Sequence, residues 1–388
     1  MRRRFHFGSF FSGLDAPALS CRRILKSNTK YKFRHELFVD TSRACRKLGQ
    51  QVFAPKLVID NSNKWNTIEL GGSLDLFWHS PCCQSYSSLA KGVGWRAKDG
   101  KGNMLRDSMA FIGRNKPVIV GFEQVPNVLN RRHQWIIKKM LRKLEAANYE
   151  VHSAVLSARQ HGNYQARRRF FVFGLRRDRI VAGKVFRWPQ PVKPCTSFCD
   201  DVLDNLSDSD EPCKLPPRGQ AGTQEVNRQR RLVKAALQKL KAQHKSACKA
   251  EVKIVRAKLQ GKSGSELVTA KILQKHRAAF KRDVLACTVD IGSSLRFAAF
   301  KVGGIPTITR TRSAAQDYWL LSRGRRIRVS ELARAQGMDL EGDFGVASSG
   351  GLPGGVTRSQ FCGMIGNSIP IELLLPTIRQ CLHVTGYL

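Results

Sequence analysis

Short apolar runs alternate with amphipathic stretches through the first half of the chain, the pattern of a parallel sheet covered by helices. Strands are predicted over residues 5–11, 36–40, 57–60, 74–78, 118–122 and 170–175. Between them, 104–112 and 133–148 read as helices, the second with Trp135, Ile136, Met140 and Leu141 at core-facing spacing. The rhythm breaks near Arg177. Pro, Asp and Ser gather over 189–217, and 200–211 is acidic and turn-rich, which reads as a linker or surface loop. Residues 225–282 are rich in Lys, Ala and Leu, with apolar positions at Leu232, Ala235, Leu237, Leu240, Val252, Val255 and Leu259. They read as helices with a broad basic face or as partly disordered arms. Residues 284–321 are strand-like, 325–337 and 359–382 helical, and no internal repeat is visible.

Charge narrows the partner. Among 388 residues, 67 are Lys or Arg and 29 are Asp or Glu, a net charge of +38. The basic residues run through segments that read as folded and are not confined to a tail, which favours nucleic acid over an anionic membrane. No apolar run is long enough to cross a bilayer and none resembles a signal-peptide core. Met1-Arg2-Arg3-Arg4 is basic like a transit peptide, but the strand at 5–11 follows at once, so a soluble, intracellular chain is expected. Eleven cysteines without regular spacing fit a reducing compartment. Cys195, Cys199 and Cys213 lack a fourth ligand at a matching spacing, so they read as loop cysteines and no metal is expected.

Three elements place reactive side chains at strand edges. Ser80-Pro81-Cys82-Cys83-Gln84-Ser85-Tyr86-Ser87 follows the strand at 74–78, so Cys83 sits where parallel sheets present their ligands, positioned as a nucleophile. The strand at 118–122 runs into Glu123-Gln124-Val125, where a carboxyl group can give or hold a proton. Gln165-Ala166-Arg167-Arg168-Arg169 leads into the strand at 170–175 and offers guanidinium groups for a carbonyl or phosphate oxygen.

In this order, the three elements resemble the motifs of the cytosine-5 DNA methyltransferase family. Cys83-Gln84 is similar to its Pro-Cys-Gln, Glu123-Gln124-Val125 to Glu-Asn-Val, and Gln165-x-Arg167-x-Arg169 to Gln-x-Arg-x-Arg. Phe11-Ser12-Gly13-Leu14-Asp15 looks like the glycine turn that opens the cofactor site. The run from Glu331 to Gly337, and Gly366-Asn367-Ser368-Ile369-Pro370, resemble the last two motifs. The resemblance implies a Rossmann-like methyltransferase fold, a mostly parallel α/β sheet with helices on both faces, with a smaller target-recognition domain. It places the catalytic domain at 1–177, target recognition with a basic helical insert at 178–321, and a return to the catalytic domain at 322–388. It implies S-adenosylmethionine as cofactor, bordered by Phe11, Ser12, Gly13 and Leu14, with Asp40 on the ribose (Glu36 the alternative), Asp60 on the adenine amino group, and Asn367 and Ser368 lining the pocket.

The implied chemistry is coherent. Carbon 5 of cytosine is a poor nucleophile until the Cys83 thiolate adds at carbon 6; Glu123 then serves ring nitrogen 3, and Arg169 or Arg167 holds the carbonyl oxygen. Such a base must be flipped out or already single-stranded. The chain departs from the family pattern at Cys82 (usually Pro), Gln124 (Asn), Asp15 (often Gly) and Tyr86 (Phe), and Cys82 is itself a second candidate for the thiol. Within the recognition region, residues 306–312 offer hydroxyl and guanidinium groups to phosphates or base edges, or form a structural hairpin. DNA is the expected substrate and a monomer the expected state. A transfer-RNA methyltransferase and an inactive nucleic-acid-binding relative are the alternatives; a dinucleotide oxidoreductase is disfavoured because no Gly-x-Gly-x-x-Gly follows the first strand. In a eukaryote the basic cluster around residues 228–234 would direct the chain to the nucleus.

Overall fold

The computed structural model describes residues 2–61, 64, 68, 70, 72–81, 86, 104–192, 198–204, 216, 224–258, 274, 287–293, 299–346 and 351–388. The chain divides into two compact units, one of residues 1–194 with 336–388 and one of 195–335.

The first unit is built on seven strands: β1 (Arg3–Phe10), β2 (Tyr31–Val39), β3 (Leu57–Ile59), β4 (Leu76–His79), β5 (Ile119–Gln124), β6 (Tyr149–Ser157) and β7 (Arg168–Arg176). Their order is β3-β2-β1-β4-β5-β7-β6. The first five pair in parallel, and β7 lies antiparallel between β5 and β6. All four residues of β4 are buried, as are Phe5, Phe7 and Phe10 of β1, because helices cover both faces of the sheet. Four helices follow the early strands: α1 (Ala16–Lys26), α2 (Arg43–Phe53), α3 (Met104–Asn115) and α4 (Gln134–Ala146). Phe10, Phe77, Phe122 and Val172 join Phe111 of α3 and Ile136, Met140 and Leu144 of α4 in the main core. Trp78, Phe171 and Phe173 cluster with one another. A Cβ at Gly121 would meet the Trp78 ring at 2.2 Å, so only glycine lets that indole lie across β5.

Two expectations for this unit are corrected. Trp135 is 47% exposed, while Ile136, Ile137, Met140 and Leu144 are buried. The helix begins at Gln134, and a step of about 100° per residue turns position 135 away from the 136/140/144 stripe. Strand β6 does not stand out in the sequence because its apolar–polar alternation lasts only from Tyr149 to His152 before Ser153 and Ala154 break it; it is an edge strand, held in the sheet by its pairing with β7.

In the second unit, α5 (Phe198–Val202) and α6 (Gln224–Lys258) precede a small antiparallel sheet of β8 (Cys287–Asp290), β9 (Ala299–Val302), β10 (Tyr318–Leu320) and β11 (Arg325–Arg326), ordered β11-β10-β8-β9. Val233, Ala236 and Leu240 of α6 pack on Val289, Ile291, Trp319 and Leu321. Residues 284–321 are therefore not uniformly strand-like: α7 (Arg310–Ala314) sits inside them, and its Arg312 pairs with Asp290 at 3.3 Å and Asp317 at 3.7 Å. The acidic stretch expected to be a surface loop contributes Asp204, which is gripped by Arg328 at 2.9 Å and by Arg334. In α8 (Val329–Arg334), Glu331 is fully buried and takes Arg325 through both carboxylate oxygens at 2.8 and 2.9 Å.

The chain then returns to the first unit with α9 (Leu340–Phe344), α10 (Arg358–Asn367) and α11 (Ile371–Val384). The helix expected over 359–382 is thus two helices, bent by 53°. Ser368 is extended (ψ 161°) and Pro370 caps α11, which stops α10 at Asn367. The first unit runs past residue 177 to 194: Phe186 and Trp188 pack on Phe173, and Val192 N–H donates to the Gln160 carbonyl at 2.8 Å. Among the described residues no single helix is long and apolar enough to cross a membrane.

Candidate active site

Strands β1, β2, β4 and β5 all end on the same edge of the sheet, and the strand order reverses between β1 and β4. That reversal opens a crevice beyond the strand ends, where doubly wound sheets hold ligands. On one side of it lies the turn after β1. Phe11 (φ 59°), Gly13 (φ 55°) and Asp15 (φ 55°) all take left-handed backbone angles, which cost a non-glycine residue about 1–2 kcal/mol. A buried network holds that geometry. Asp15 Oδ2 accepts from Ser9 Oγ at 2.6 Å and from His35 Nε2 at 2.9 Å, and its Oδ1 accepts from the Ala18 N–H at 3.3 Å, capping α1. Ser9 Oγ meets Ser12 Oγ at 2.6 Å, and Ser12 bonds both N–H and C=O of Val39 at the end of β2. Asp15 therefore does not crowd the crevice; it points inward as the anchor of the turn.

Asp40 follows β2 directly. Its carboxylate accepts from Gly13 N–H and Ser42 N–H, both at 2.8 Å, and burial raises its pKa. Glu36 lies three residues back within β2 and is tied to His6 Nδ1 at 2.9 Å, away from the strand end. Asp60 is exposed and held by Lys64 at 2.8 Å, whose hydrogen bond lowers its pKa. A Cβ built on Gly13 meets no atom within 4 Å, so the turn presents open space beside a carboxylate and the Phe11 ring. Hydroxyl donors, a flat heterocycle and a positive charge all suit that pairing of a carboxylate acceptor with an aromatic face.

Across the crevice, Glu123 and Gln124 are the last residues of β5, paired with Phe171 and Phe170 of β7. The antiparallel register sets Arg169, at the start of β7, beside the end of β5. Arg169 Nε reaches Glu123 Oε1 at 2.8 Å, with both side chains almost buried. Burial raises the Glu123 pKa, and Arg169, Arg167 and a hydrogen bond from Ser80 pull it back in part. Ser80 also accepts from Trp78 Nε1 at 2.7 Å, and its N–H donates to the Phe10 carbonyl. Gln124 Nε2 donates to the Pro81 carbonyl at 3.0 Å while its Oε1 accepts from Val125 N–H. The backbone one residue before Cys82 is thereby fixed to β5, and the extra methylene of Gln124 is used to reach it. Tyr86 is buried against the His133 ring at 5.3 Å. Cys82, Cys83, Gln84 and Ser85 lie outside the described residues, as do Cys195 and Cys213.

Arg167 is 3% exposed and donates to the carbonyls of Gly366 (3.1 Å) and Asn367 (3.2 Å), closing the end of α10. Gln165 Nε2 donates to Gln336 Oε1 at 2.9 Å, and Gln336 Nε2 to the Ile365 carbonyl at 2.8 Å. Three motif segments far apart in sequence are thus one hydrogen-bonded unit. Asn367 is exposed and Ser368 buried where α10 ends.

The family described as C-5 cytosine-specific DNA methylase matches residues 5–383. The chain belongs to this family. Relatives of this chain include the Type II methyltransferase M1.ScrFI of Lactococcus lactis subsp. cremoris, 29% identical over 32% of each chain. The Type II methyltransferase M.Bsp6I of Bacillus sp. is 28% identical over 41% of this chain and 49% of its own, and M.HhaI of Haemophilus parahaemolyticus 27% identical over 33% and 37%. The matched segments span less than half the length of these relatives. In fold, the chain is similar to a DNA modification methyltransferase encoded within an E. coli prophage, with a TM-score of 0.58 at 14% identity over 98% of this chain and 99% of that one. It is also similar to the Entamoeba histolytica methyltransferase EhMeth, with a TM-score of 0.55 at 12% identity and the same coverage.

At the crevice, Glu123 and Arg169 meet directly, Phe11, Ser12, Gly13 and Leu14 form the turn, and Asp40 stands beside it. Asp60 is displaced to the exposed end of an edge strand, and Arg167 is committed to backbone carbonyls. The sequence pattern gave no supporting role to Ser9 and His35, and it placed Ser80 and Gln336 inside motif segments without assigning them a partner. Ser9 and Ser80 carried the available signal, polar residues interrupting or ending apolar strands; His35 and Gln336 become relevant only through partners distant in the chain.

Proposed function

We propose that this methylase transfers a methyl group from S-adenosylmethionine to carbon 5 of a cytosine in DNA. The observation that carries this reading is the Glu123–Arg169 pair, joined through Ser80 to the segment that leads into Cys82 and Cys83, at the mouth of the parallel sheet. When bound, S-adenosylmethionine supplies an electrophilic methyl group. Asp40, Phe11 and the open side of Gly13 are the groups that would hold it. The Cys83 thiolate adds to carbon 6 of a base extruded from its stack, forming the S–C bond. Glu123, held protonated to higher pH by burial, gives a hydrogen bond or its proton to ring nitrogen 3, and Arg169 supports the carbonyl oxygen. Once carbon 5 is methylated, its proton leaves to a base and the S–C bond breaks, restoring the thiolate. Residue 82 also carries a thiol, so the nucleophile is assigned by experiment.

Transfer of labelled methyl to duplex DNA and, separately, to transfer RNA by wild type, Cys83→Ser and Cys82→Ser tests the reading. Label on DNA that is lost in Cys83→Ser and kept in Cys82→Ser is expected. Label on RNA alone would replace the substrate, and no transfer to either would remove the enzymatic reading.

A further inference from the structure

We propose that residues 241–250 of α6 are a sequence-independent arm for the phosphodiester backbone of a duplex, separate from the part of the helix that builds the second unit. The proposal rests on the nucleic-acid reading above.

The helix changes character at Leu240. Before it, Leu232, Val233, Ala236 and Leu240 are buried and three of them pack on the small sheet. After it, Lys241, Ala242, Gln243, Lys245, Ser246, Ala247, Lys249 and Ala250 are all exposed, and His244 is half-buried. Ten residues are nearly three helical turns, so this exposure covers every face except the stripe that runs on from Leu240 through His244. Helices with so little packed surface are marginal in water. Here Lys241, Lys245 and Lys249 also recur at four-residue spacing, where like charges repel each other. The stripe therefore weakens the free helix and is offset only when counter-charge arrives.

The occupant follows from what the arm lacks. A second helix, from another copy or another protein, would need a seam of Leu, Ile or Val at heptad positions, and 241–250 contains none, its small apolar side chains being Ala242, Ala247, Cys248 and Ala250. A membrane surface would need a contiguous apolar face, which the same residues do not provide. A polyanion needs neither. The lysines of the stripe stand about 6 Å apart along the axis, close enough to neutralise successive phosphates of one backbone. In a chain of net charge +38 proposed to act on DNA, the polyanion is a duplex.

The test compares the full chain with a Lys241→Gln/Lys245→Gln/Lys249→Gln variant and a matching Lys→Arg variant, by fluorescence anisotropy on a duplex of about 30 base pairs across a salt series. Because each phosphate contact contributes about 0.9 to the slope of log affinity against log salt, the Gln variant should lose roughly 2 to 3 from that slope. Its affinity should fall tenfold or more at moderate salt, while the Arg variant keeps both. The methyl-transfer rate at saturating DNA should be unchanged, since these exposed side chains are outside the catalytic groups. Equal slopes for wild type and the Gln variant would overturn the arm. If wild type transfers methyl to DNA with that outcome, the enzymatic reading survives alone; if the slope falls as expected but no methyl is transferred, the arm survives and the enzymatic reading does not. Displacement of the duplex by polyglutamate at equal charge concentration would overturn the commitment to nucleic acid.

Discussion

Arg169 Nε lies 2.8 Å from Glu123 Oε1, and the pair is formed by two antiparallel strands whose register sets the end of one beside the start of the other. Glu123 thereby carries opposing influences, burial raising its pKa and the guanidinium groups lowering it. Glu123→Gln should reduce the transfer rate by about 10²–10⁴-fold, in the range of a lost general acid. Arg169→Gln removes a lowering influence, so the alkaline limb of the rate profile, where Glu123 loses its proton, should move to higher pH. A pH–rate series on wild type, Glu123→Gln and Arg169→Gln checks both; an unmoved limb would separate Glu123 from the proton transfer.

Gln124 clamps the Pro81 carbonyl, one residue ahead of the paired cysteines. Gln124→Ala removes a buried hydrogen bond worth about 1 kcal/mol and frees that backbone. Single-turnover transfer should slow several-fold with S-adenosylmethionine affinity kept. Gln124→Asn, one methylene short of Pro81, should fall between. A wild-type rate in the Ala variant would show that Pro81 is held by other means.

Asp15 occupies a left-handed position that glycine would accept without strain, and yet its carboxylate joins Ser9, His35 and the cap of α1. Asp15→Gly should relieve the backbone and still lower the thermal midpoint, because two buried side-chain bonds and a cap worth about 1 kcal/mol disappear. Titration calorimetry should also show roughly tenfold weaker S-adenosylmethionine binding, with Asp15→Asn closer to wild type. A lowered midpoint at unchanged affinity would confine Asp15 to stability.

His79, the last residue of β4, is fully buried beside Phe77 and Phe122, and among the described residues neither ring nitrogen has a hydrogen-bond partner. Burial pushes its pKa down to about 3 from 6.5. The unfolded chain takes up this proton first, so the neutral ring contributes stability that is complete above about pH 6.5 and is lost as pH falls toward 3. Urea unfolding from pH 7 to pH 4 should show His79→Leu losing less stability than wild type over that window. At pH 7 the variant should be at least as stable, since an unsatisfied buried polar group is removed. Parallel acid limbs would assign the acid sensitivity to other groups.

Much of this was legible before any coordinates. Apolar runs placed six of the seven strands of the large sheet, and the segments carrying Glu123, Arg169 and the Phe11–Leu14 turn lay at their ends, because a strand buried on both faces must be written as continuous apolar sequence. Position relative to such a run is a local property, and so is the left-handed tendency of a glycine turn. The basic face of α6 was equally local.

Tertiary structure decided which of these residues meet. Whether Arg167 or Arg169 faces Glu123 depends on the β5–β7 register, and sequence spacing left both open; pairing gave Arg169 to the carboxylate and Arg167 to the end of α10. Asp15, a departure from the glycine common at that place in the family pattern, is the anchor of the turn because β2 brings His35 beside it. Gln165 and Gln336 stand 171 positions apart and bond only because the chain leaves the first unit and returns. Burial patterns are encoded residue by residue along the chain, whereas hydrogen-bond partners and the pKa shifts they cause depend on distances between segments that only the folded sheet brings together.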